Sequence, residues 1–146
     1  GHLITDDLQY DSRSAFTLSL NHRETYTGIT DRDRALTTKR FGELAGEAYE
    51  LSNSEAMEAL GKEFRTPGHI PLCRESPGGL SNRQGHTELA VAIARLSGNI
   101  PCTIGAEMLD PEGDGALPLK EAMKYAEEHG IPMITGNDIL KSMDMV

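Results

Sequence analysis

The chain has 146 residues, 38% of them hydrophobic and 25% charged, which suits one globular domain with an ordinary polar surface. A formal charge of −9 leaves no cationic surplus to displace counterions from a nucleic-acid backbone, so nucleic acid is not an expected partner, whereas a small anion met by a few local arginines stays open. No apolar run approaches the ~20 residues that a bilayer span needs and no charged-then-apolar leader stands out, so no membrane role is expected and the location read from the sequence is cytoplasmic.

Aromatic residues make up 5% and Trp is absent, so the core must be aliphatic, Ala and Met, with room for an oligomer interface to add stability. Cys73 and Cys102 lack metal-site spacing and read as small buried hydrophobes.

Residues 1–12 are polar and carry no strong element. Over residues 14–21, Phe16, Leu18 and Leu20 alternate with Ala15, Thr17 and Ser19, the period of a half-buried strand. Thr30 with Asp33 three residues later resembles a capping box that opens a helix to about Ala45, and Ser52 with Glu55 repeats the signal before a short helix carrying Met57 and Leu60. Residues 70–73 read as a short strand after a Pro-Gly turn, and Pro77-Gly78-Gly79 as a loop. From Gly85 the pattern is helical, with Leu89, Ile93 and Leu96 on one stripe and Gly98 as the stop. Cys102, Ile104, Ala106 and Met108 alternate as a strand, residues 110–115 form an acidic turn-rich loop, and a helix runs from about Leu119 to His129. A last strand over residues 131–135 and a short helix over 137–143 close the chain. The alternation predicts one α/β domain over residues 1–146, with a mixed sheet flanked by helices in α-β-α layers.

Four places carry candidate chemistry. Asn82-Arg83-Gln84-Gly85-His86-Thr87-Glu88 lies at a helix start, where free N–H groups and the positive dipole end favour phosphate. Arg83 can add a bidentate contact, Gly85 close backbone approach and Thr87 a hydroxyl. The plainer alternative is that Thr87 only caps the helix and His86 is solvated. Next, Pro67-Gly68 reads as a turn presenting His69, an imidazole suited to acid–base work near neutrality, although a lone His after a turn is more often a surface residue. Glu107 sits on the polar side of an apolar strand just before a loop, where a carboxylate can reach a cleft. Finally, Thr27 and Gly28 can line a site, while the Asp and Arg pairs of residues 31–34 read as a solvated helix face. The acidic loop with Asp110, Glu112 and Asp114 lacks calcium-loop spacing.

The stretches FRTPGHIPLCR, NRQGHTELAVAIARLSG, IGAEML before the acidic loop, and TYTGITDRDRA resemble 3,4-dihydroxy-2-butanone 4-phosphate synthases, in the family's order and with matching gaps from about Ser14 to Leu140. The style is that of archaeal, single-function versions. The resemblance implies a formate-releasing lyase that converts D-ribulose 5-phosphate to L-3,4-dihydroxy-2-butanone 4-phosphate in riboflavin biosynthesis. It implies dependence on Mg2+ or Mn2+, no organic cofactor, and a homodimer with a shared active site. Carried over by position, His86 matches a metal ligand, Glu107 and His69 match acid–base residues, and Arg83, Gln84, Gly85 and Thr87 match the phosphate segment. Thr27 matches a residue near the substrate. The family's N-terminal acidic loop with its Arg-Glu pair has no counterpart here, so the chain is expected to lack the family's N-terminal part. A non-catalytic phosphosugar-binding module, or another metal-dependent phosphosugar isomerase or phosphohydrolase, is the alternative reading.

Overall fold

The alternating run after Ser14 forms strand β1 (Phe16–His22), which pairs antiparallel with β2 (Phe64–Cys73) in the computed structural model of the chain; residues 8–9 and 14–144 are described. The polar opening, residues 1–12, lies outside the described residues except for Leu8 and Gln9. The chain divides into two compact units, Gly1–Thr103 and Ile104–Val146.

In the first unit the strand register is broken in an informative place. Leu20 faces Ile70, yet the next residue, Asn21, faces Arg65, so residues 66–69 of β2 have no partner and bulge from the ladder. The Pro-Gly pair read as a turn ahead of a short strand therefore lies inside a ten-residue strand. Gly68 crosses directly over the Leu20–Asn21 peptide, where a Cβ would come within 2.0 Å of the Leu20 carbonyl carbon. No residue with a side chain fits that crossing.

Helix α1 (Asp31–Glu47) begins where expected, with Thr30 Oγ1 accepting from the Asp33 N–H at 3.3 Å. It packs on β1 and seals the strand's end: Thr37, 1% exposed, accepts the His22 N–H on its hydroxyl at 3.0 Å. Helix α2 (Asn53–Glu63) opens with the full reciprocal capping box of Ser52 and Glu55. Arg40 of α1 grips Glu63 at the end of α2 through two nitrogens, at 2.7 and 3.0 Å to one oxygen. Leu20, Leu44 and Phe64 form the buried core, with Phe41, Ala59, Leu60 and Leu72 packed around them. Phe64 meets the Phe41 and His22 rings edge-on, with centroids 5.9 and 5.4 Å away. Helix α3 (His86–Leu96) buries Glu88, Ala92 and Ala94. The expected stripe is displaced: Ile93 and Leu96 are substantially exposed, and Ile93 lines an open groove beside Gly42 and Glu43 of α1.

In the second unit, Leu109 and Ala116 bridge across the acidic loop, and α4 (Leu119–Glu128) and α5 (Gly136–Ser142) follow. Thr135 and Asp138 build a second reciprocal capping box at the start of α5. Ala126, Ile139 and Leu140 are buried.

The expected sheet flanked by helices is present, in an α+β arrangement, but the sheet differs in detail. Among the described residues it is two-stranded and antiparallel rather than mixed. Residues 102–108 and 131–135, both expected as strands, lack ladder partners and run as irregular chain, the one isolated bridge lying just beyond the first at Leu109. Alternation supplies two faces; a strand also needs a neighbour for its N–H and C=O groups. Likewise Phe16 and Leu18 stay 66% and 49% exposed, since only the Leu20 end of β1 lies under the core. No helix among the described residues is long and apolar enough to cross a membrane. Phe64→Ala removes the ring on which the small core is centred and should cost about 3–5 kcal/mol, read as a lower urea midpoint at unchanged slope.

Candidate active site

His69 is the last residue of the β2 bulge, and its ring is exposed. Because the bulge unpairs it from the ladder, its backbone N–H is free to bond a side chain. Asn21 takes that place: Oδ1 accepts the His69 N–H at 2.8 Å, and Nδ2 lies 3.1 Å from the ring Nδ1. Asn21 is 5% exposed, so the amide side of these part-buried contacts is shielded. The His69 imidazole is thus fixed at both its backbone and its ring.

The same Asn21 amide lies against Gly28, which has φ +91° and where a Cβ would come within 2.2 Å of Nδ2. Thr27, exposed at the tip of this loop, is therefore joined to His69 through one side chain. The loop owes its shape to Asp33. Its carboxylate accepts the N–H groups of Gly28 at 2.8 Å and Thr27 at 3.0 Å, with Tyr26 more distant at 3.4 Å. This departs from the capping-box expectation, since Asp33 turns from the helix start to the loop before it. It also corrects the solvated-face reading for this residue, which is buried, while Asp31 and Arg34 do pair on the surface at 2.7 Å. Arg65 clamps the loop's other end, donating to the Thr25 carbonyl and hydroxyl at 3.1 Å each.

At the start of α3 the structure replaces the plainer capping reading. Gly85 is the N-cap, no side chain caps the helix, and His86 and Thr87 are its first two residues. Their amides open the helix with no intrahelical acceptor, at the positive end of its dipole. His86 and Gln84 are exposed and Thr87 is half-buried. Arg83 is ion-paired with Glu88, whose side chain is wholly buried and also accepts the Ser76 N–H at 2.8 Å. The close approach at Gly85 is that of Arg83, since a Cβ there would overlap the guanidinium where it now lies and displace it. A buried carboxylate thus aims the arginine across the mouth of the helix.

Glu107 belongs to the second unit, exposed on an irregular stretch two residues before the Leu109–Ala116 bridge. Among the described residues no three His, Cys, Asp or Glu side chains gather to hold a metal ion. Magnesium prefers a six-oxygen shell rich in carboxylate and water, so His86 with its described neighbours does not complete a site.

Three residues that organise these loops have no role of their own in the sequence reading. Asn21 is the polar end of a strand, Asp33 part of a capping box on a charged helix face, and Glu88 the last residue of the helix-start segment. The capping-box spacing does mark Asp33 as special, though for the wrong partner.

Both carboxyls are held below the ordinary acid range. For Asp33 the Gly28 N–H is the chief cause, and the Thr27 and Tyr26 amides help to outweigh burial. For Glu88 burial pushes upward most strongly, and the Ser76 amide and Arg83 together overcome it. A folded-state pKa below the unfolded value of about 4 gives stability that is complete above that value and fades as pH falls through the lower one. Asp33→Asn should therefore be destabilised most at neutral pH, with the gap to wild type narrowing below about pH 4, measured as urea midpoints across a pH series.

Comparison with known proteins matches residues 3–142 to the sequence model of the family described as 3,4-dihydroxy-2-butanone 4-phosphate synthase. The chain is 48% identical over 136 residues to a protein of that name from Archaeoglobus fulgidus, covering 93% of this chain and 56% of the relative. It is 40% identical to one from Methanothermobacter thermautotrophicus, covering 97% of this chain and 59% of the relative. A riboflavin biosynthesis protein RibBA of Staphylococcus aureus is 35% identical over 94% of this chain and 32% of its own length. Among solved structures, the crystal structure of the 3,4-dihydroxy-2-butanone 4-phosphate synthase of Candida albicans superposes with a TM-score of 0.69 at 32% identity, covering 89% of this chain and 60% of that one. The chain thus spans a little over half the length of the archaeal relatives it matches.

Proposed function

The chain belongs to the 3,4-dihydroxy-2-butanone 4-phosphate synthase family, and on that premise we propose that it serves riboflavin biosynthesis as a lyase converting D-ribulose 5-phosphate to formate and L-3,4-dihydroxy-2-butanone 4-phosphate. The observation that supports this most directly is the start of α3. A helix opening with no side-chain cap, flanked by an arginine that a buried glutamate holds in place, is a receptor for a phosphate monoester.

In this reading the His86 and Thr87 amides, the Thr87 hydroxyl and Arg83 bind the phosphate, with Gln84 and Gly85 shaping the approach. Thr27 lies near the sugar, and His69 and Glu107 serve the proton transfers that enolisation and loss of water require. The reaction takes place in a homodimer, with His69 reaching a site shared between subunits, in the cytoplasm. A divalent cation, Mg2+ or Mn2+, would supply electrostatic stabilisation of the enediolate. His86 is proposed as one ligand to it, with the rest of its shell from outside the described residues.

Formate release from ribulose 5-phosphate by the full-length protein should depend on added magnesium and stop with EDTA. Formation of inorganic phosphate or an isomeric pentose phosphate in place of formate would favour a phosphohydrolase or isomerase, and EDTA-insensitive binding without turnover would favour a binding module. His86→Ala should abolish turnover and weaken cation binding in a titration followed by calorimetry. Arg83→Lys keeps the charge but loses the planar fork; KM should rise about tenfold with kcat little changed, as for loss of ground-state phosphate binding.

A further inference from the structure

Asn21 bonds His69 in a way that bears on where the imidazole proton sits. The His69 backbone N–H can only donate, so the Asn21 atom 2.8 Å from it is the carbonyl Oδ1. This orients the amide and leaves Nδ2, a donor only, 3.1 Å from the ring Nδ1. Oδ1 lies farther from Nδ1, at 3.3 Å. A proton on Nδ1 would set ring N–H against amide N–H across the shorter contact. The nearer partner of Nδ1 is thus a donor, which favours Nδ1 as acceptor and the proton of the neutral ring on Nε2.

The amide has little freedom to rearrange. Asn21 is buried, sits where the strand register jumps, and is pressed by Gly28 from the Thr27 loop. Gly28 is in turn held by Asp33 at 2.8 Å. The amide cannot swing away without moving this loop, and it cannot exchange its oxygen and nitrogen without setting Nδ2 against the His69 N–H.

We propose that Asn21 is the positioning residue of His69, holding the neutral imidazole as the Nε2–H tautomer so that it meets the substrate as a hydrogen-bond donor rather than as a base. The proposal rests on the reading of His69 as an active-site residue and divides the labour within it. A neutral imidazole donating from Nε2 stabilises negative charge developing on a sugar oxygen during enolisation. Abstraction of the carbon-bound proton then falls to another group.

The test is ring 15N NMR together with kinetics on the full-length protein. At about pH 8.5, where imidazoles are neutral, the His69 ring of the wild type should show a protonated Nε2 and an unprotonated, hydrogen-bonded Nδ1. Asn21→Asp is nearly isosteric but offers only acceptors, so it should draw the proton to Nδ1. Its kcat for formate release should fall about a hundredfold, the scale of losing one preorganised donor, with KM nearly unchanged. Asn21→Ala should give mixed tautomers and a smaller fall in kcat. In a His69→Ala background, Asn21→Ala should lower kcat by less than about twofold, as expected when two residues act as one unit. A wild-type spectrum with the proton on Nδ1, while turnover still depends on His69, overturns the proposal alone. Unchanged turnover in His69→Ala overturns the reading of His69 and the proposal with it. A large independent loss from Asn21→Ala in the His69→Ala background means that Asn21 acts through some other contact, and also overturns it.

Discussion

Two strands of unequal length must pair, and the way the surplus is absorbed shapes the first unit. Between Leu20 and Asn21 the partner strand advances from Ile70 back to Arg65, so four residues, 66–69, leave the ladder together. Gly68 makes the crossing possible because the Leu20–Asn21 peptide lies where a side chain would start. Once those residues leave the ladder, His69 has a free N–H, and Asn21 has an amide at the right height to take it. The imidazole, the Thr27 loop and the register jump are therefore parts of one arrangement, and a change at any of them is felt by the others.

Acidic residues act within this fold as internal fasteners. Asp33 gathers the amides of a loop, and Glu88 gathers an arginine and the Ser76 amide. Glu55 and Asp138 close helix starts by accepting the N–H groups of Ser52 and Thr135 at 2.9 Å each. A chain with a net charge of −9 thus spends some of its negative charge on its own backbone donors. Such bonds are strong because one partner is ionised and the desolvated carboxylate finds several donors at once. They also leave the start of α3 positive in an acidic protein, because the Glu88 carboxylate there is wholly buried and paired with Arg83.

The family is legible in the sequence because its motifs are local. Pro67-Gly68-His69 and the Arg83-to-Glu88 run each span only a few residues, the first inside β2 and the second across the start of α3. The starts of α1 and α2 were equally plain, since Thr30 and Ser52 cap through residues three positions on, whereas the Thr135 cap of α5 fell within an expected strand. The strands at 102–108 and 131–135 were misjudged for the opposite reason: alternation is a property of one segment, whereas a ladder is a property of two.

The sequence by itself therefore determined the helices and the family, because the signals for both lie within short local stretches. The tertiary structure alone decided that Asp33 shapes a loop instead of capping a helix, that Gly85 makes room for Arg83, and that Asn21 governs His69. Those contacts depend on where the chain returns to itself. Asn21 and His69 are 48 positions apart and meet only because a strand pairing slips by four residues between them; no local pattern records a slip that exists only once both strands are in place.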